Sequence, residues 1–166
     1  MSNEGYNANT ANEECQFRKL RTTVVIFEPQ FAFAGIPITM SDVIHAELSY
    51  KVTGLCFKVH NDLGRFRTER SYADAFEVLL RSENIHYDRE PRLPPSFVGE
   101  RPGRNVPDFI IEGIMVVDFK AKHHVTREDY FQMKRYLSVL NLKLGLIINF
   151  QQQYVSAKRV LNSEVS

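Results

Sequence analysis

No apolar run in this 166-residue chain approaches the roughly 20 residues that a membrane span needs. Val24–Phe27, Ile114–Val117 and Leu144–Ile148 are each short. The first fifteen residues show no basic patch followed by an apolar stretch, so no secretory leader is read there and a cytoplasmic location is expected. Cysteine is scarce: Cys15 and Cys56 stand in unlike surroundings, which predicts reduced thiols rather than a disulfide framework. Zinc-type Cys/His spacing, a P-loop, a dinucleotide glycine fingerprint and internal repeats are all missing. Neither sign of charge dominates, with 21 Lys and Arg against 20 Asp and Glu for a net charge of +1. Bulk charge therefore neither demands a polyanionic partner nor excludes one, and any nucleic-acid surface must come from local segregation. What is present, 43% hydrophobic and 25% charged residues, suits a globular domain and excludes a wholly disordered chain.

Residues 1–21 read as a mobile tail, dominated at first by Asn, Glu, Ser and Gly. Residues 22–40 read as an extension. Its β-branched and aromatic residues, broken by Pro29, Gly35 and Pro37, predict one or two short edge strands. An exposed edge of that kind invites pairing within the chain or with a second copy, so a homo-oligomer is an expectation. Residues 41–161 carry the main domain. Ser41-Asp42 predicts an N-cap for a helix that ends at Leu63-Gly64, and Gly54 within it suggests a close neighbour or a break. A second helix is predicted over 69–82, on the stripe Tyr72, Ala75, Phe76, Leu79 and Leu80. Turn residues over 86–105 predict loops and short strands. Beyond the segment 106–122 come a helix over 126–140, a strand over 142–150 and a strand or short helix over 153–161.

The segment VPDFIIEGIMVVDFKAK, residues 106–122, poses a question that geometry decides. Two apolar runs flank Glu112-Gly113, which reads as a β-hairpin. A two-residue turn would set Asp108 opposite Val117 and send Asp118 to the other side. A three-residue loop, Ile111-Glu112-Gly113, gathers Asp108, Ile110, Val116, Asp118 and Lys120 on one face and Pro107, Phe109, Met115, Val117 and Phe119 on the other. Hydrophobic sorting favours the odd loop, because the second face is then wholly apolar. Asp118 and Lys120 lie about 6.6 Å apart along such a strand. Two acids and a lysine on a half-buried sheet are costly unless they pair or hold a cation. The alternative is a solvated salt bridge worth about 0–1 kcal/mol.

Read in order, LSYKVTGLCFKVHNDLG (48–64), ERSYADAF (69–76), the hairpin segment, DYFQMKRYL and LKLGLIINF resemble the GxxExxY proteins, a branch of the PD-(D/E)xK nuclease superfamily. The resemblance covers about residues 44–161. It implies an α/β fold: a restriction-endonuclease-like core with a mixed central sheet flanked by helices and an N-terminal extension. It further implies that Asp108 and Asp118 bind a divalent metal, Mg²⁺ or Mn²⁺, with the main-chain carbonyl of Phe119 as a further ligand and Lys120 as the catalytic lysine. Gln132 and Tyr136 match the glutamine-x-x-x-tyrosine of RecB-type nucleases and would contact substrate or brace the site. His60 matches a histidine ahead of the core and is a candidate metal ligand through neutral imidazole. Glu69 and Tyr72 match the acid and tyrosine of the family name, Glu69 as a further candidate ligand directly or through water and Tyr72 in a supporting role. The name-giving glycine is Phe66 here, flanked by Arg65 and Arg67, and the more common glutamate is Asp118.

The implied chemistry is metal-dependent hydrolysis of nucleic-acid phosphodiester bonds, with DNA the expected substrate. Hard oxygen donors suit Mg²⁺, which keeps several waters and needs few protein carboxylates. Lys120 would orient the water or stabilise the developing charge. Arg65, Arg67, Arg70, Lys122 and Arg127 would neutralise phosphates. Each residue also has a plainer reading. A histidine near a helix end caps or packs, an acid in a first turn answers the helix dipole, and a lone basic residue is a solvated side chain. Gln132 and Tyr136 alone would be ordinary residues of an amphipathic helix. A binding or regulatory module that keeps the fold without turnover is the competing function.

Overall fold

The structure, a computed structural model, describes residues 43–165. The tail, the extension with its expected edge strands, and Ser41 and Asp42 lie outside the described residues. The helix expected to be capped by Ser41-Asp42 instead starts later, with His45 at φ 49° in its N-cap position. The first helix, α1 (Ala46–Leu63), closes at Gly64, whose φ of 70° lies in the left-handed region and whose N–H reaches the His60 carbonyl at 2.9 Å. Gly54 neither breaks it nor meets a neighbour: nothing lies within 4 Å of a Cβ placed there. Helix α2 (Glu69–Ser82) spans the expected residues, and the Thr68 hydroxyl accepts the Ser71 N–H at 3.2 Å as its cap. The loop-rich stretch that follows holds one short strand, β1 (Tyr87–Arg89).

Strands β2 (Phe109–Ile111) and β3 (Met115–Lys120) form the expected hairpin, but its loop is Glu112-Gly113-Ile114, one residue later than the sequence suggested. Ile111 stays in the strand because its side chain is fully buried. Glu112 and Gly113 both take positive φ, at 52° and 68°, and the Glu112 carboxylate accepts the His86 N–H at 2.9 Å, a bond that rewards this otherwise strained position. The loop remains odd, so the sorting of the two faces is unchanged. Helix α3 (Arg127–Leu140) begins at Thr126, whose N–H donates to Asp129 at 2.7 Å. It crosses over to β4 (Leu144–Asn149), and β5 (Ser156–Leu161) resolves the last segment as a strand.

The five strands form one mixed sheet in sequence order, antiparallel except for the β3–β4 pair, which is parallel. A parallel pair needs a crossover, and α3 supplies it. Phe109, Ile111, Met115, Val117 and Phe119 project to one side, where they pack with Leu144, Leu146 and Ile148 against α1 and α2. Phe76 of α2 meets Phe109 and Phe119 edge-on, each at 5.2 Å between centroids. On the other side Ile110, Val116, Ile147 and Val160 pack against Met133, Tyr136 and Leu137 of α3. Both faces of the sheet are thus covered, and the even face beneath α3 is where the two acids must be accommodated. Glu77 of α2, bonded by Arg81, Tyr87 and Arg89, ties down the β1 edge. Arg159 of β5 reaches the Ser49 hydroxyl and the Ile44 carbonyl at 2.5 Å each, fixing the approach to α1. Among the described residues no helix is long and apolar enough to cross a membrane.

Close approach of α3 to β4 depends on Gly145. A Cβ there would run into the Met133 thioether and lie 2.8 Å from its Cγ. Gly145→Val should therefore destabilise the domain by about 1–3 kcal/mol through overpacking, read as a lower urea midpoint at unchanged m. Met133→Ala should cost less in that background than in the parent chain.

Candidate active site

The hairpin register sets the site. Phe109 pairs with Val117, so one step outward Asp108 faces Asp118 across the ladder, and both point to the same side of the sheet. Asp108 Oδ2 accepts the Phe119 N–H at 2.5 Å. Asp118 Oδ2 pairs with Lys120 Nζ at 2.5 Å, with side chains only 6% and 13% exposed. The structure brings these three residues together as the sequence predicted, at the end of β3 where the parallel strand β4 also ends.

A buried acid and a half-buried one share one ammonium, and the electrostatics follow. Burial, reinforced by the charge of Asp118, pushes the Asp108 carboxyl up to about 7, against the opposing Phe119 N–H. Burial also raises Asp118, and the adjacent Lys120 only partly offsets this. Burial would lower Lys120, but Asp118, Glu69 and Asp108 together hold its ammonium above the usual lysine value. Among the described residues no three His, Cys, Asp or Glu side chains gather as a ready-made cage. The donor set is a carboxylate pair, which is what a heavily hydrated hard cation requires. The negative charge that Lys120 leaves uncompensated fits a cation at this point.

The remaining residues divide by position. Glu69, at the start of α2, is exposed, and its Oε1 accepts the N–H of Ala121, the residue after Lys120, at 2.9 Å. Its charge raises both aspartates, so it stands at the rim of the site. His60 Nε2 is engaged by the Gln152 carbonyl at 3.1 Å, and its ring stacks on Phe150. Tyr72 is fully buried, stacked on Phe150 at 4.2 Å, and its hydroxyl donates to the Gly64 carbonyl at 2.7 Å and accepts the Arg67 N–H at 3.2 Å. It braces the loop between α1 and α2. Gln132 donates to the Tyr136 hydroxyl at 2.6 Å, and that hydroxyl donates to the Val106 carbonyl at 3.2 Å, tethering the segment that leads into Asp108. Burial and the charge of Asp118 push Tyr136 up to about 12. Arg65, Arg67, Arg70 and Arg127 are exposed, whereas Lys122 turns its ammonium onto Asp129 at 2.5 Å.

Two further residues shape the rim without having stood out in the sequence. Asn149, fully buried, donates to the Lys122 carbonyl at 2.7 Å and accepts the Lys122 N–H at 3.3 Å, locking the chain just past Lys120. Gln152 donates to the His123 carbonyl at 3.0 Å while its own carbonyl holds His60. A polar residue closing the apolar run LGLIIN is the one signal that could have marked Asn149.

A helix-flanked mixed sheet that carries Pro107-Asp108 into a hairpin and returns with Asp118-Phe119-Lys120 defines a nuclease-type α/β core. The family model described as the PD-(D/E)XK nuclease superfamily matches residues 46–160, and the chain belongs to that superfamily. Comparison with curated proteins gives no match. Among solved structures an alkaline exonuclease from Laribacter hongkongensis is similar, with a TM-score of 0.41 and 9% identity over 73% of this chain and 72% of that one.

The raised Asp108 carries a stability consequence. A carboxyl that titrates near 7 when folded and near 4 when unfolded favours the folded state at low pH. That contribution is lost as pH climbs from about 4 through about 7. Asp108→Asn, which can still accept the Phe119 N–H, should therefore raise Tm in EDTA by a few degrees at pH 8 and by clearly less at pH 5. Calorimetric scans at both pH values check this.

Proposed function

We propose that the chain hydrolyses phosphodiester bonds of nucleic acid, DNA foremost, with Mg²⁺ or Mn²⁺ held by Asp108 and Asp118. The observation that carries this reading is the convergence of those carboxylates and Lys120 at one partly buried point, with two acids to one ammonium. The main-chain carbonyl of Phe119 would be a further donor, and Glu69 at the rim would act through a bridging water. When bound, the cation supplies Lewis-acid neutralisation of a non-bridging phosphate oxygen and an acidified water. Lys120, freed from its pairing with Asp118, stands close enough to orient the attacking water and to face the charge that builds on the phosphate oxygens. Glu69 and Asn149 hold the backbone beyond Lys120, which fixes where that ammonium can reach. Gln132 and Tyr136 keep the Asp108 approach in place, and the exposed arginines at the α1–α2 junction and at the start of α3 neutralise the flanking phosphates. His60 keeps its bond to Gln152 and serves the rim unless substrate displaces it.

Purified protein incubated with single- and double-stranded DNA and RNA should cleave with Mg²⁺ or Mn²⁺ and stop in EDTA. Asp118→Ala and Lys120→Ala should each lower the rate by about 10²–10⁴-fold. Mn²⁺ titration by calorimetry should show binding that Asp118→Ala removes. Cleavage that survives both substitutions overturns the mechanism. Salt-sensitive binding of nucleic acid without cleavage selects the module that keeps the fold without turnover.

A further inference from the structure

Between α1 and α2 the chain presents Arg65-Phe66-Arg67 to solvent. The Phe66 ring is 81% exposed, more open to solvent than Phe97, Phe131 or Tyr154. The Arg65 guanidinium lies 5.1 Å from its centroid. Among the described residues neither Arg65, Arg67 nor Arg70 has a carboxylate partner, so one guanidinium lies over the ring and two further exposed, unpaired arginines stand within four residues of it in the chain. The backbone beneath the ring is not slack. Gly64 closes α1, Thr68 caps α2, and the buried Tyr72 hydroxyl bonds both Gly64 and Arg67. Three residues further on, Glu69 is bonded to Ala121, next to Lys120. The loop that bears Phe66 is therefore anchored next to the helix start whose Glu69 reaches the chain beside Lys120.

We infer that Phe66 is a base-stacking residue that directs the site toward unpaired nucleotides, with Arg65, Arg67 and Arg70 holding the phosphates on either side. This rests on the nuclease reading of the carboxylate pair. Aromatic rings among cations suit single strands, because every base offers a π-face and every linkage a charge. A base inside a duplex already has both faces covered by its neighbours. A ring standing on a loop can stack only on a flipped or unpaired base. The substrate class that fits is a single strand, or a duplex end with an overhang, threaded past Phe66 to the aspartates.

The test measures binding separately from cleavage. Full-length chain in EDTA is titrated into a single-stranded oligonucleotide carrying one 2-aminopurine, and into a blunt duplex of the same sequence. Phe66→Ala should weaken single-strand affinity about tenfold and abolish the 2-aminopurine quench, with duplex affinity changed less than about twofold and Tm unaltered. Phe66→Tyr should restore both signals. Equal losses on single strand and duplex, or no loss at all, overturn the stacking role. So does a Phe66→Ala defect confined to anionic lipid vesicles. If the expected single-strand losses appear but added Mg²⁺ gives no cleavage, stacking stands and the nuclease reading falls. Cleavage that does not discriminate single strand from duplex, with Phe66→Ala binding both like the parent, leaves the nuclease reading standing and removes this one.

Discussion

Asp108 and Asp118 face each other at the end of a hairpin packed on both sides, with only Lys120 to balance them. Much else in the domain exists to keep that arrangement in place. Like charges in a poorly solvated site repel, and each also loses hydration, so the metal-free protein resolves the conflict partly by drawing a proton to Asp108. An apolar pair in those positions would make a more stable sheet. The acids are therefore kept at a cost that the flanking cores offset.

The geometry that confines them comes from aromatic packing as much as from hydrogen bonds. Phe119, the residue between Asp118 and Lys120, is fully buried and meets Phe76 and Phe150 edge-on at 5.2 and 5.0 Å. Alternation along the strand then leaves Asp118 and Lys120 no choice of face. Phe150 in turn carries Tyr72, whose hydroxyl sets the loop ahead of α2. One contiguous aromatic cluster therefore runs from β3 to the residue that braces the loop bearing Phe66. On the opposite face Tyr136 ties α3 to the segment entering Asp108. Each aspartate is aimed by a buried aromatic on the far side of its own backbone or on the neighbouring helix.

Much of this was legible in the sequence where local patterns speak directly. The span of α2, the crossover helix and the shared face of Asp108, Asp118 and Lys120 follow from periodicity and from the demand that one hairpin face be wholly apolar. The loop position did not follow, because the sequence offers glycine as the left-handed residue and conceals that Glu112 can take φ of 52° once its carboxylate captures the His86 N–H. That partner lies 26 residues away. Gly54 misled for the opposite reason: a helix can carry a glycine without any neighbour demanding it. Gly145, where a neighbour does demand it, looked like any small residue in an apolar run. Asn149 and Gln152 were silent because their partners are backbone atoms, which no side-chain pattern announces.

The rim of the carboxylate pair is assembled from distant parts of the chain. β3 and β4 are parallel, so their carboxyl ends open on the same side of the sheet, and the loops that converge there come from distant parts of the chain: 64–68, 121–126 and 150–155. Their mutual bonds, Glu69 to Ala121, Asn149 to Lys122 and Gln152 to both His60 and His123, are made largely to main-chain atoms. Main-chain partners survive substitution of the side chains they belong to. The residues that face outward from these loops, Phe66 and its arginines among them, can therefore change without loosening the carboxylate pair. The bonds that fix the chain around the carboxylate pair and the side chains that face outward from the rim are thus carried by different atoms of the same loops.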